Sequence, residues 1–312
     1  MSVPVKGKRV TVVGAANVDI GGKSFGELIQ RDSNPGTVRI SLGGVGRNIA
    51  HNASLLGLEV NFITALGGDA YAAMIKDSCR ELGIDLSGSI FPGGQMTSTY
   101  MFLSGPDGDM ELALSDMEIY SELRPELIAP GMERISGSAL VIIDTNIPRE
   151  SVEYIARHCE APVFADPVSA AKAVKLSGVL GRMHTVKPNL IEAEVLSGIK
   201  ISSRRDLERA AGVMLGRGLR RVFISLREEG VFAAEEGKSL IVPSVGTLVK
   251  NSTGAGDAMM SALAWAFFED MELEETAIAS QAAASVAMRS EETINPLMSV
   301  SALRERMPRG KV

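Results

Sequence analysis

The chain has 312 residues, of which 45% are hydrophobic and 22% charged, and it carries a net charge of −6. This length and balance suit a soluble globular protein of one large domain or two ordinary ones. The charges lie in segments of mixed sign with no basic block, so neither nucleic acid nor an anionic membrane surface is an expected partner.

Residues 1–9 lack the apolar core of a signal peptide. Residues 9–14 form a β-branched run ending in glycine, the pattern of a buried parallel strand. Asp19 follows just beyond its carboxyl end, the edge at which open α/β sheets hold ligands. An Asx turn is the other reading of that aspartate. The turn formers Asp32-Ser33-Asn34-Pro35-Gly36 precede residues 37–42, which alternate like a strand with one solvated face.

Gly43-Gly44-Val45-Gly46-Arg47-Asn48-Ile49-Ala50 comes next. It is no dinucleotide fingerprint, because Ile49 stands where the third glycine is needed. It opens a helix over residues 46–56 that stops at Gly57, and a buried strand over 59–66 follows. Asp69 can cap a helix that ends at Gly83. Residues 98–103 and 110–114 bracket Gly105-Pro106-Asp107-Gly108-Asp109 as a β-hairpin. With residues 37–42 they make a small sheet, inserted at about residues 16–42 and 89–118 of a β/α body.

From residue 139, strands at 139–143, 162–166, 184–186 and 221–225 alternate with helices at 150–159, 171–180, 189–196 and 204–215. That alternation implies a parallel sheet covered on both faces. Asp166-Pro167 ends one strand at the ligand edge, as a turn or as part of a site. Asn189 and Glu192, three apart at a helix start, read as a capping box, and Lys187 before them as a solvated charge or as positive charge near a phosphate. Asn251-Ser252-Thr253-Gly254-Ala255-Gly256-Asp257 then enters an almost wholly apolar helix. Its first turn offers unpaired N–H groups and a positive dipole end, an anion hole suited to phosphate. Asp257 reads there either as a helix cap or as a base taking a proton from a hydroxyl that attacks phosphorus. The apolar run over 259–268 is well short of the ~20 residues that span a membrane. Helices over 274–289 and 299–307 close the chain. With no repeat or long linker, residues 1–312 form a single domain plus lid.

The two glycine-rich strings, in this order, resemble the N- and C-terminal signatures of the ribokinase-like (PfkB) carbohydrate kinases. The second of these usually reads Asp-Thr-x-Gly-Ala-Gly-Asp, and the resemblance covers essentially the whole chain. It implies an α/β fold: a three-layer body with a mainly parallel sheet between helices, plus a small β-sheet lid that closes over the sugar. It implies ATP and Mg²⁺ as cofactors and a small-molecule sugar or nucleoside as substrate. By the same resemblance Asp257 is the catalytic base, with Gly254, Ala255 and Gly256 as the anion hole. Asp19 accepts hydrogen bonds from two sugar hydroxyls, which one carboxylate can do at once. Gly43, Gly44 and Asn48 hold the sugar, and Asn17 and Ser33 are further substrate candidates. Asn189, Ser225, Gly230, Thr253, Gly254 and Gly256 belong to the nucleotide site. Asn189 and Glu192 orient magnesium through water, which suits an ion that keeps several waters.

The chain departs from the pattern in two places. Arg227 replaces a glycine of the family's nucleotide loop, and Asn251-Ser252 replace Asp-Thr, removing the carboxylate that helps build the family's monovalent-cation (K⁺) site. Asn251 is usual in the pseudouridine kinase branch, which residues 14–19, 32–36, 43–50, 251–260 and 293–296 together resemble. That branch implies phosphorylation of a nucleoside 5′-hydroxyl. Another sugar or nucleoside kinase of the family, or a non-catalytic nucleoside-binding protein on the same fold, is the alternative.

Other chemistries find no support. Gly22-Lys23-Ser24 and Gly237-Lys238-Ser239 lack the first glycine of a P-loop, having Asn17 and Phe232 in its place. His51, His158 and His184 form no metal-type cluster, and His158 and His184 read as helix and strand residues. Cys79 and Cys159 lie far apart and are expected to be reduced, in a cytoplasmic protein. The lid sheet, if exposed, could pair two chains.

Overall fold

The computed structural model describes residues 7–308, so most of the segment read for a leader lies outside the described residues. The chain starts with β1 (Arg9–Val13), passes into β2 (Asn17–Ser24) and β3 (Gly36–Gly43), and enters α1 (Val45–Leu55). Then come β4 (Glu59–Ile63), α2 (Ala70–Glu81), β5 (Thr99–Ser104) and β6 (Met110–Asp116). Two short helices, α3 (Pro125–Ile128) and α4 (Met132–Ser136), lead to β7 (Leu140–Asp144), α5 (Arg149–His158) and β8 (Val163–Asp166). After α6 (Ala170–Ala173) come β9 (Thr185–Val186), α7 (Leu190–Ser197), α8 (Arg204–Gly216) and β10 (Arg221–Ser225). The hairpin β11 (Val231–Glu235) and β12 (Lys238–Val242) precedes α9 (Ala255–Phe268), α10 (Leu273–Ala287) and α11 (Val300–Arg306).

Eight strands form the body sheet in the order β12-β11-β10-β9-β8-β7-β1-β4. The pairs from β10 to β4 are parallel, and β11 and β12 add antiparallel. Because successive side chains of a strand point to opposite faces, Leu140 and Ile142 pack with Ile49 of α1 and Met260 and Leu263 of α9. Val141 and Ile143 pack on the other side with Ile155 of α5, Leu196 of α7 and Leu207 of α8. This is the three-layer α/β body expected from the alternating pattern. A second, four-stranded sheet has the order β3-β2-β5-β6 and stands apart from the body as the lid.

Three local expectations change. Asp19 does not sit in a loop after β1 but within β2, paired with Ser41 and Tyr100. Gly21-Gly22 hides that strand from a pattern reading, and at Gly21 a side chain would overlap the Phe102 ring. The helix expected over 171–180 breaks after Ala173 into single 3-10 turns. The β11–β12 hairpin escaped notice, and Gly237-Lys238-Ser239 is its turn and first strand residues. Asp69 does cap α2, its side chain accepting from Ala72 N at 2.8 Å. Among the described residues no helix is long and apolar enough to cross a membrane.

Candidate active site

Asp144 and Asp166, at the carboxyl ends of β7 and β8, and Lys187, just after β9, lie near Asp257 at the N-terminus of α9. Gly254 caps α9 at φ +81°, and a side chain there would overlap the Thr293 carbonyl oxygen. Glycine is therefore required twice at this one position, by conformation and by space. Asn251 folds the approach: its Oδ1 accepts from Thr253 N at 2.9 Å and its Nδ2 donates to the Glu291 carbonyl at 3.1 Å. Thr253 is exposed, whereas Gly254, Ala255, Gly256 and Asp257 are half-buried.

Asp257 occupies the first turn of α9. Asn48 Nδ2 donates to its Oδ2 at 2.9 Å across 209 positions of sequence, joining the two glycine-rich strings at one point. Burial, then the Asp166 carboxylate, push Asp257 up to about 8, against the Asn48 hydrogen bond and the Lys187 charge. A carboxylate tuned this close to neutrality can both take and release a proton.

Lys187 is not solvated. It is 6% exposed and pairs with Asp166 at 3.1 Å. Its Nζ lies 3.3 Å from where a Cβ on Gly256 would be, under the glycine-rich turn that starts α9. Burial opposes its charge, but Asp166, Glu192 and Asp257 outweigh that and raise its pKa. Asp144, at the end of β7, is fully buried and accepts from Ala15 N and Asn146 N, each at 2.8 Å. Sequence reasoning passed over Asp144, although an aspartate closing a buried strand is the same signal that Asp166 carries.

Asp19 lies on the lid beside the body. The Asn17 amide donates to its Oδ1, and a side chain on Gly43 would overlap its carboxyl group. Burial pushes Asp19 up to about 6, while Asn17 and the Arg47 guanidinium pull it down. Gly44 turns the chain at φ +96° against the Ala15 carbonyl. The structure thus gathers Asn17, Asp19, Gly43, Gly44 and Asn48 around the start of α1. Ser33 is exposed in the loop at the opposite end of the β2–β3 hairpin, where its N–H donates to Asp32 at 2.7 Å.

Asn189 and Glu192 form a complete capping box on α7, with bonds of 2.9 Å in both directions and a third of 2.8 Å between the side chains. Glu192 is buried, which raises its pKa. Asn189 forms a β-bridge with Ser225, whose N–H donates to the Pro188 carbonyl at 2.9 Å. The turn after Ser225 closes through Leu226 N to the Gly230 carbonyl at 2.8 Å. Arg227 there adopts φ +55°, the conformation a glycine takes readily, and Gly230 takes φ +109°. The turn therefore keeps a positive-φ backbone at Arg227 despite the side chain. Among the described residues no three His, Cys, Asp or Glu side chains converge as a metal cluster.

The model of the pfkB family carbohydrate kinases matches residues 8–299. Pseudouridine kinase of Escherichia coli (strain K12) is 37% identical over 294 residues, covering 94% of this chain and 94% of that one. YeiI, an uncharacterized sugar kinase of the same organism, is 34% identical over 290 residues, covering 92% of this chain and 80% of its own. The structure of Arabidopsis thaliana ribokinase complexed with ribose and ATP superposes with a TM-score of 0.86 at 21% identity, over 99% of this chain and all of that one (100%), and so shares the fold.

Proposed function

From the premise that the chain belongs to the pfkB family of carbohydrate kinases, and so uses ATP to phosphorylate an alcohol, we propose that its acceptor is the 5′-hydroxyl of pseudouridine. The observation that carries the chemistry is the Asn48–Asp257 hydrogen bond at the mouth of a glycine-lined helix terminus. The likeness along 94% of the chain to a pseudouridine kinase supports the choice of acceptor.

In this reading Asp19 accepts the two ribose hydroxyls, Asn17 holds the carboxylate in place, and Gly43 and Gly44 let the sugar lie close to the backbone. Asn48 meets the sugar and Asp257 together. Asp257 takes the proton of the 5′-hydroxyl as that oxygen attacks the terminal phosphorus of ATP. The N–H groups of Gly254, Ala255 and Gly256 hold the charge that builds on the transferring oxygens. Asn189, Ser225, Thr253 and Gly230 line the nucleotide. The oxygens of Asn189 and Glu192 fit a magnesium ion held through its own waters, and such an ion would neutralise phosphate charge. Closure of the lid keeps water from the transferring group.

The lid itself suggests a partner. Across its four strands the rows Ile40–Ile20–Met101–Leu114 and Val38–Gly22–Leu103–Leu112 share one face. Val38 is 73% exposed and Leu114 67%, so a second copy of the chain is the proposed cover for that face. Light scattering on the protein and on Val38→Asp tests this: a monomer in both would reject it.

The substrate reading is tested by a panel of pseudouridine, uridine, adenosine and ribose with ATP, read as ADP formed. The highest kcat/KM is expected with pseudouridine. Preference for ribose or another nucleoside would replace the substrate and leave the kinase reading standing.

A further inference from the structure

Arg47 sits in the first turn of α1 and is 5% exposed. Its guanidinium is held by neutral groups. Nη1 donates to the Leu42 carbonyl at 3.0 Å and to Asn48 Oδ1 at 3.4 Å. Nη2 meets His51 Nδ1 at 3.3 Å and Ser78 Oγ at 3.2 Å, and Nε has no partner among the described residues. Burial pushes its pKa down, against Cys79 and the Asp19 carboxylate. A desolvated cation with neutral partners costs stability, so its position asks for a functional account.

The partners supply one. A guanidinium can only donate, so the face of the Asn48 amide turned to Arg47 must be its oxygen. The NH₂ group is then left facing Asp257, where it donates at 2.9 Å. The same guanidinium grips the Leu42 carbonyl of lid strand β3, one residue before Gly43, and Ser78 of α2. We propose that Arg47 is a positioning residue that sets the Asn48 amide toward Asp257 and ties the root of the lid to that carboxylate. A shift of β3 that draws on Leu42 is thereby felt at Asn48 through one side chain. This rests on the reading of Asp257 as the base.

The charges around this chain of contacts are few. Asp257 faces Asp166 and Asp144 at strand ends and Lys187 after β9. Arg47 faces Asp19 on β2, His51 on its own helix and Cys79 on α2. Burial pushes His51 down to about 4 and Cys79 up to about 11, so both are neutral at physiological pH. Donation from Asn48 favours ionised Asp257, and its loss moves the acid limb of kcat/KM upward.

The experiment measures steady-state kinetics and pH profiles of Arg47→Met and Arg47→Lys, alone and combined with Asp257→Asn. In Arg47→Met, kcat is expected to fall about ten- to a hundredfold, as for a lost hydrogen bond to a charged group. Its acid limb moves up and KM for ATP stays unchanged. Arg47→Lys keeps the charge near Asp19 but cannot fork between Leu42 and Asn48, so sugar KM recovers more than kcat. With Asp257→Asn in place, Arg47→Met adds no further loss. An unchanged kcat and acid limb in folded Arg47→Met, or full additivity with Asp257→Asn, would overturn the proposal. If Arg47→Met does not fold, Arg47→Lys decides, and wild-type kcat and acid limb in it overturn the proposal. Full activity of Asp257→Asn alone would instead remove the base reading.

Discussion

Lys187 and Asp166 form a 3.1 Å ion pair at the floor of the site, each side chain 7% exposed. Around them Asp144, Glu192 and Asp257 bring three more carboxyl groups to the carboxyl edge of the sheet. One buried cation thus stands among several acids beneath Gly256. In the proposed reading, Lys187 offsets the repulsion that those acids would direct at the nucleotide.

Removing that cation leaves Asp166 buried and unpaired. Lys187→Met is expected to cost about 3–5 kcal/mol of stability, the range for breaking a buried pair from one side. The double variant Lys187→Met/Asp166→Asn should regain part of it. Urea unfolding measures both, and equal midpoints for wild type and Lys187→Met would show that the pair does not hold the floor together.

Asp257→Asn keeps the shape of the side chain and removes the proton acceptor. A fall in kcat of about 10²–10⁴-fold is expected, with ATP and nucleoside saturating and the far-UV circular dichroism unchanged. Turnover near the wild-type value would end its assignment as base.

The same group predicts two pH dependences of opposite sign. Asp257 sits at about 8 in the folded chain, so the ionised base is lost as pH falls, and kcat/KM should drop below that pH. In stability the raised pKa works the other way. The folded state keeps a proton that the unfolded chain releases at about 4, so stability falls as pH rises from about 4 to about 8. Asp19, at about 6, adds to this trend in the lower part of the window. Asp257→Asn should flatten the stability slope between pH 6 and 8, the part of that range above Asp19, and a slope unchanged from wild type would contradict the assignment.

Gly254→Ala should be among the most damaging changes in the α9 loop, because a left-handed φ of +81° and the Thr293 carbonyl both oppose a side chain. Strain of about 1–3 kcal/mol is expected, together with a raised KM for ATP. Ala255→Gly, which adds no atom, serves as the control. A Gly254→Ala protein with wild-type stability and KM would show that the loop adjusts freely.

Asn251 donates to the Glu291 carbonyl at 3.1 Å, placing an amide N–H on a backbone oxygen beside the proposed anion hole. Activity is therefore expected to be nearly independent of K⁺, and Asn251→Asp should gain a dependence on it. Assays in potassium and in tetramethylammonium salts separate the cases, and strong potassium activation of the wild type would rule the expectation out.

What the sequence determined by itself was the local grammar. Apolar runs placed most strands and helices of the body: β7 and β8 are buried along their whole length and α5 along one face, whereas the half-exposed β12 carries no such run. Gly254 and Asp69 were legible because a helix start requires a particular residue type at a fixed offset. Asp257 could be singled out by type and Asn48 by the family resemblance, but their 2.9 Å contact spans 209 positions and exists only after α1 and α9 pack together. The tertiary structure alone decided that Lys187 is buried, since lysines are usually solvated and its burial depends on carboxylates from β8, α7 and α9. It also decided that Arg47, one more polar residue in a helix pattern, lies beneath the lid root. Short-range patterns report how a segment can fold, whereas the charge state and orientation of a buried polar group depend on neighbours brought in from distant segments.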